Sequence, residues 1–132
     1  MLTGGAETTV REFWRLMATN DFPSVKAVLA EDFSADWPQT NEHIPTPDSF
    51  CALNAAYPAA GPWVFTLNRL IATATEAVTD VSITDGATTA RAITFFTVHA
   101  DKIQKITEFW PDPTQPPFPR TKWTQPLTRK NP

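Results

Sequence analysis

The sequence has a single cysteine, Cys51, so no disulfide framework holds it, and only four glycines in 132 residues, none in a phosphate-cradling loop. No apolar run approaches the roughly 18 residues that a membrane-spanning helix requires. The start, MLTGGAETTV, has neither the basic residues nor the apolar segment of a secretory leader, so a cytoplasmic protein with no membrane partner is expected. A concentrated basic face is also missing. Lys and Arg number 11 against 14 Asp and Glu, for a net charge of −3 with signs interspersed, which argues against nucleic acid as a partner. The one basic cluster, Arg120, Lys122, Arg129 and Lys130, reads as a solvated end. Neither histidine, His43 or His99, has a second ligand type at workable spacing, and Cys51 has no nearby histidine, so no metal site and no thiol nucleophile are expected.

What is present is a core. The chain is 42% hydrophobic and 11% aromatic, too apolar to remain disordered. At this length it suits one domain that buries about two-thirds of its unfolded surface. Proline sorts the chain, because it cannot donate to a β ladder and breaks helix interiors. Of 13 prolines none lies between Trp63 and Trp110, and seven lie in the last 22 residues. The middle therefore reads as sheet and the end as an extended arm.

Before the sheet, Val10, Phe13, Trp14 and Met17 recur at i, i+3, i+4 and i+7, which predicts an amphipathic helix over about residues 6–19. Asp21 caps a second short helix with the stripe Phe22, Val25, Val28 and Leu29. A third helix starts with Thr46 as cap and Pro47 at its first position, carries Phe50, Leu53 and Tyr57, and ends at Pro58. An extended segment, Phe33 to Pro45, separates the last two. Residues 63–75, 77–84, 88–99 and 102–110 then read as long strands of a meander, turning at Asp85-Gly86 and Ala100-Asp101. The expected fold is α+β: a cone-shaped, curved antiparallel sheet with three N-terminal helices on one face, a cystatin-like roll whose mouth forms an apolar pocket.

Three segments carry a resemblance: VREFWRLMATNDFPSVKAVLAEDF, WPQTNEHI followed by DSFCALNAAYP, and DKIQKITEFWPDP. Together they make the chain similar to the SnoaL-like branch of the nuclear transport factor 2-like superfamily, with the domain at residues 1–115 and a proline-rich arm at 116–132. The resemblance implies ketosteroid isomerase, epoxide hydrolase or polyketide cyclase relatives, but the isomerase groups are missing. Where that motif has an Asp before proline, this chain has Trp37 before Pro38. Phe13 and Ile93 or Thr94 stand where its Tyr and protonated Asp would be. The epoxide hydrolase relay needs two acids around an arginine, and no acid pair is assigned to Arg69 or Arg91. The cyclase pattern implies an acid near the end of the last strand, matched by Glu108 or Asp112.

A carboxylate beside Trp110 in an apolar pocket would ionise at raised pH and could serve as acid or base, so Glu108 is the candidate catalytic residue; the alternative is a rim or structural acid. Trp14, Trp37, Gln39, Tyr57, His99 and Trp110 are the candidate ligand-binding residues. Alternation along an extended strand would put Trp37 and Gln39 on the pocket side, against the alternative of a packing Trp and a Gln bonded to backbone. Asp36 is expected to face out, with Glu42 and His43 solvated, while Trp14 and Tyr57 could equally be core. The expected function is binding of a small apolar or aromatic ligand, with no cofactor. A cyclase- or isomerase-type enzyme using the pocket carboxylate is one alternative and a non-catalytic dimeric interaction module another. Apolar residues on both sheet faces predict a homodimer, and Phe118 and Trp123 are expected to anchor the arm over the sheet edge or the partner subunit.

Overall fold

A computed structural model describes residues 5–127. The first helix, α1, spans Ala6–Ala18 and buries Val10, Phe13, Trp14 and Met17, the stripe read from the sequence. Just beyond it lies Asn20, a left-handed residue whose side-chain amide brackets the Trp63 backbone, accepting from its N–H at 2.7 Å and donating to its carbonyl at 2.9 Å. Phe22–Val28 follows as a 3-10 helix with Phe22, Val25 and Val28 buried, and Leu29 opens strand β1, Leu29–Trp37. An i, i+3 stripe satisfies a three-residue period as well as an α-helix, so a short segment opening on proline closes the tighter turn. A 3-10 turn, Pro38–Thr40, leads to β2, Glu42–Ile44. Helix α2, Pro47–Ala56, is capped as expected, the Thr46 hydroxyl accepting from the Ser49 N–H.

The meander follows as β3 (Val64–Ala72), β4 (Glu76–Thr84), β5 (Thr89–His99) and β6 (Lys102–Phe109). The β4–β5 turn has Gly86 at φ 96°, and the β5–β6 turn holds both Ala100 and Asp101 at positive φ, the geometry of a tight hairpin that matches strand twist. The sheet has six strands in the order β2-β1-β6-β5-β4-β3. It is mixed, because β1 pairs parallel with β6 while the other neighbours are antiparallel. Helix α1 covers the concave face, packing on β3, β4, β5 and β6, and α2, between β2 and the meander, packs on β1.

The core lies between α1 and that face: Phe13 stands 4.9 Å from Trp14 and 5.3 Å from Phe96 between ring centroids, and Phe33 stands 5.3 Å from Phe50. Ile103 and Ile106 are both fully buried although three apart, because the ladder shifts register on both sides of the start of β6. Past that irregularity, Ile106, Glu108 and Trp110 face inward and Thr107 and Phe109 outward. After β6, Pro111–Pro113 border a shallow groove on the convex face with Val64, Ser82, Arg91 and Ile93. Phe118 and Trp123 do not anchor the arm over the sheet edge: they are 57% and 72% exposed, each beside its own cation, Arg120 or Lys122. Among the described residues no helix is long and apolar enough to cross a membrane.

Candidate functional site

The mouth of the cone holds a cavity of about 150 Å³ walled by Phe13, Trp14, Met17, Trp37, Phe50 and Phe65, with Trp110 and the carboxyl of Glu108 on the β6 side. A dry cavity of that order accepts a benzene-sized molecule. Glu108 reaches it because β5 and β6 pair Thr94 directly opposite Glu108, and inward-facing cross-strand partners stand side by side. The Thr94 hydroxyl donates to Glu108 Oε2 at 2.6 Å, and the Trp37 indole N–H, arriving from the end of β1, donates to Oε1 at 3.0 Å.

Glu108 is only 4% exposed, and among the described residues no Lys, Arg or His lines the cavity. Burial pushes its carboxyl up to about 7, against the opposing hydrogen bonds from Thr94 and Trp37. A carboxyl that changes charge near neutral pH can give or take a proton there, which an ordinary carboxylate does poorly. Among the described residues no group of three His, Cys, Asp or Glu side chains converges as metal ligands do.

Of the residues singled out from the sequence, Glu108, Trp14, Trp37, Tyr57 and Trp110 line this cavity. Trp14 directs its indole N–H to the buried Thr79 hydroxyl at 3.2 Å. Tyr57 is 54% exposed at the cavity lip, its ring edge-on to Trp63. Gln39 and His99 do not line the cavity. Alternation beyond Trp37 fails because Pro38 begins a 3-10 turn, which swings Gln39 round so that its Oε1 accepts the Trp110 backbone N–H. His99 is exposed at the far end of β5, opposite Lys102. Asp112, the other acid considered for the last strand, borders the convex-face groove, so Glu108 alone of the two reaches the cavity.

The arginines considered for an epoxide hydrolase relay are elsewhere too. Arg91 makes a two-point contact with Asp80 at 2.6 and 2.9 Å, Arg69 approaches the same carboxyl at 3.7 Å, and neither lines the cavity. Asp36 contacts His43 at 2.6 Å and Lys105 at 2.8 Å; these contacts, His43 first, hold its carboxyl below the usual range. Sequence reasoning missed Asn54 and Phe50 as lining residues and Thr94 as a partner of the carboxyl. Asn54 shares a helix face with Phe50 and Tyr57 by i+4 and i−3 spacing, a signal already in the sequence.

The SnoaL-like domain model matches residues 10–108. The chain is similar to the crystal structure of a candidate ketosteroid isomerase from Kribbella flavida, with 27% identity and a TM-score of 0.83 over 93% of this chain and 90% of that one. It is similar to an NTF-2 like protein of unknown function from Burkholderia xenovorans, with 25% identity and a TM-score of 0.72 over 92% and 97% of the two chains. An LEH-like epoxide hydrolase of M. tuberculosis shares the fold, with 16% identity and a TM-score of 0.64 over 79% and 80%. No curated protein matches the chain.

Proposed function

Because the chain belongs to the SnoaL-like domain family, we propose that it binds a small, mainly apolar, ring-shaped molecule in the cone cavity and meets its polar group with Glu108. The observation that carries this reading is that, among the described residues, one carboxyl is buried in the wall of a mainly aromatic cavity of about 150 Å³. Burying an acid without a counter-charge costs desolvation that an apolar residue of the same shape would avoid, which favours a role for Glu108 beyond packing.

Tryptophan is a built-in reporter. Trp14, Trp37, Trp63 and Trp110 line the cavity and Trp123 stands outside it, 72% exposed. Titration with cyclohexanone or benzene is expected to shift indole resonances of the first four saturably and leave Trp123 unmoved. If neither probe produces a saturable change, the cavity is not a binding site.

A second reading is favoured by the ionisation of Glu108 near 7. In that reading the carboxyl moves a proton at the carbon next to a substrate carbonyl, as a cyclase or isomerase would, with no cofactor needed. The candidate ketosteroid isomerase among the similar structures supports this chemistry class. Substrate-dependent exchange of solvent deuterium, abolished by Glu108→Gln, is the expected signature; exchange surviving that change removes Glu108 from the step.

A homodimer belongs to the same proposal. The convex sheet face exposes Val64, Ile71 and Phe95, the last edge-on to Phe109 at 6.4 Å, and a second copy would cover it. Light scattering showing only monomer at high micromolar concentration would contradict that partner. Residues 1–115 as the ligand-binding unit and 116–132 as an accessory arm complete the reading.

A further inference from the structure

The carboxyl of Glu108 has a donor on each oxygen, the Thr94 hydroxyl at 2.6 Å and the Trp37 indole N–H at 3.0 Å. An indole N–H only donates, and two donors aimed at one carboxyl favour its ionised form. Trp37 itself lines the cavity, so the carboxyl it holds lies at the wall. A counter-charge is missing. Among the described residues the elements round the cavity bring uncharged groups: Trp37 from β1, Phe65 from β3, Ile83 from β4, Trp14 from α1 and Asn54 from α2, with Thr94 of β5 behind the carboxyl. Tyr57, exposed at the lip, is the one other titratable side chain of the described lining. Asp36, with its partners His43 and Lys105, alternates with Trp37 along β1 and so lies on the other face of the sheet.

Most of the lining is aromatic, with ring planes turned against one another: Phe13 to Trp14 and Trp37 to Trp110 at 83°, Tyr57 to Trp63 at 78°. Ring faces attract a cation, most strongly a desolvated one. Among the described residues the cation–ring contacts lie in the arm, at Phe118 and Trp123, and none uses a ring of this wall. From the carboxyl and the rings together we infer that the ligand of the cavity is an organic cation, an ammonium group on a small apolar body. Its charge pairs with Glu108 and its hydrocarbon sits among the rings. The inference rests on the proposed binding role of the cavity and names the polar group that Glu108 meets there. In a cavity of about 150 Å³ every ligand atom is close to the wall, so the charges attract through a low-dielectric space without displacing the bonds from Thr94 and Trp37. An anionic ligand would add a second unpaired charge beside the first.

The entering cation favours the ionised carboxyl, so its binding is linked to a proton. Glu108 ionises at about 7 in the free protein; below that pH a proton leaves as the cation enters, and above it the site is already charged. Cyclohexylammonium and cyclohexanone are close in size and differ in charge, and the amine stays protonated from pH 5 to 8 as a lysine does. Calorimetry on the full chain measures both affinities at pH 5, 6 and 8, in the wild type and in Glu108→Gln. At pH 8 the wild type is expected to bind the cation roughly tenfold more tightly than the ketone. Between pH 8 and pH 5 the cation's affinity should fall by about ten- to a hundredfold, with protons released to the buffer at pH 6. The ketone should not weaken over that range. Glu108→Gln should lose both the preference and its pH dependence, and the wild-type profile with its proton release is a test even where that variant does not fold. Cyclohexanone binding as tightly as the cation at pH 8, cation binding unchanged from pH 8 to pH 5, or a preference that survives in folded Glu108→Gln overturns the cationic ligand while the cavity stands as a binding site. Binding of neither probe at any of these pH values overturns the cavity as a site and this inference with it.

Discussion

Replacing Glu108 by Gln removes the ionisation of the buried carboxyl while keeping its shape: the amide oxygen can still accept from Trp37, and the amide nitrogen can donate to the Thr94 hydroxyl. In the wild type the unfolded chain ionises Glu108 at about 4.5 and the folded chain at about 7. Between those values the folded state holds the extra proton, so stability falls as pH rises, by about 1.4 kcal/mol per pH unit. The contribution is fully favourable below pH 4.5, is lost progressively, and levels off above pH 7 after a total of about 3 kcal/mol. Glu108→Gln has no such slope. Urea unfolding of both proteins at pH 5 and pH 8 should therefore show the wild type losing about 2 to 3 kcal/mol relative to the variant, a midpoint shift of roughly 1 M. The Asp carboxyls held low by their partners, Asp36, Asp80 and Asp85, act below pH 4 and do not blur this window. Parallel stability profiles for the two proteins from pH 5 to 8 would show that Glu108 is not desolvated, and would refute the reasoning from burial.

Thr94→Val removes the 2.6 Å donor to Glu108, so the carboxyl should ionise at still higher pH and stability at pH 8 should fall by about 1 to 3 kcal/mol, with a smaller loss at pH 5; paired denaturation curves check both. Phe13→Ala empties the centre of the aromatic core and should cost about 3 to 5 kcal/mol by the same assay. Asp85 accepts backbone N–H bonds from Ala60, Thr88 and Ala87, which pull its carboxyl down to about 2. Its contribution is present above the ordinary value of 3.8 and lost as pH falls through 2. Asp85→Asn should therefore be less stable than wild type at pH 6 and lose less on acidification from pH 4 to pH 2.

Local signals in the sequence were enough for α1, for α2 with its Thr46 cap, and for the four meander strands, since amphipathic spacing, proline exclusion and turn chemistry act over a few residues. Two features depended on contacts that no local pattern contains. The parallel pairing of β1 with β6 joins segments some 70 residues apart, and it starts β1 at Leu29, which the helical stripe had counted within the helix. The register shift in β6 places Ile103 and Ile106 on one face where strict alternation separates them.

The site follows the same division. Glu108 and Trp110 were legible because an acid two residues before a tryptophan on an inward-facing strand shares its face. Gln39 was misplaced because Pro38 ends the extended backbone on which the alternation argument relied. Thr94 as the carboxyl's partner required the β5–β6 register, which only the folded sheet supplies.

The ionisation of one buried carboxyl underlies the proposed site, and the ¹³C resonance of the Glu108 side-chain carboxyl, followed by NMR against pH, reads it directly. A midpoint at about 7 is predicted. A midpoint at or below 4.5 would mean that Glu108 is solvated, and would contradict the proton-transfer reading and the desolvated carboxyl at the centre of the proposed site.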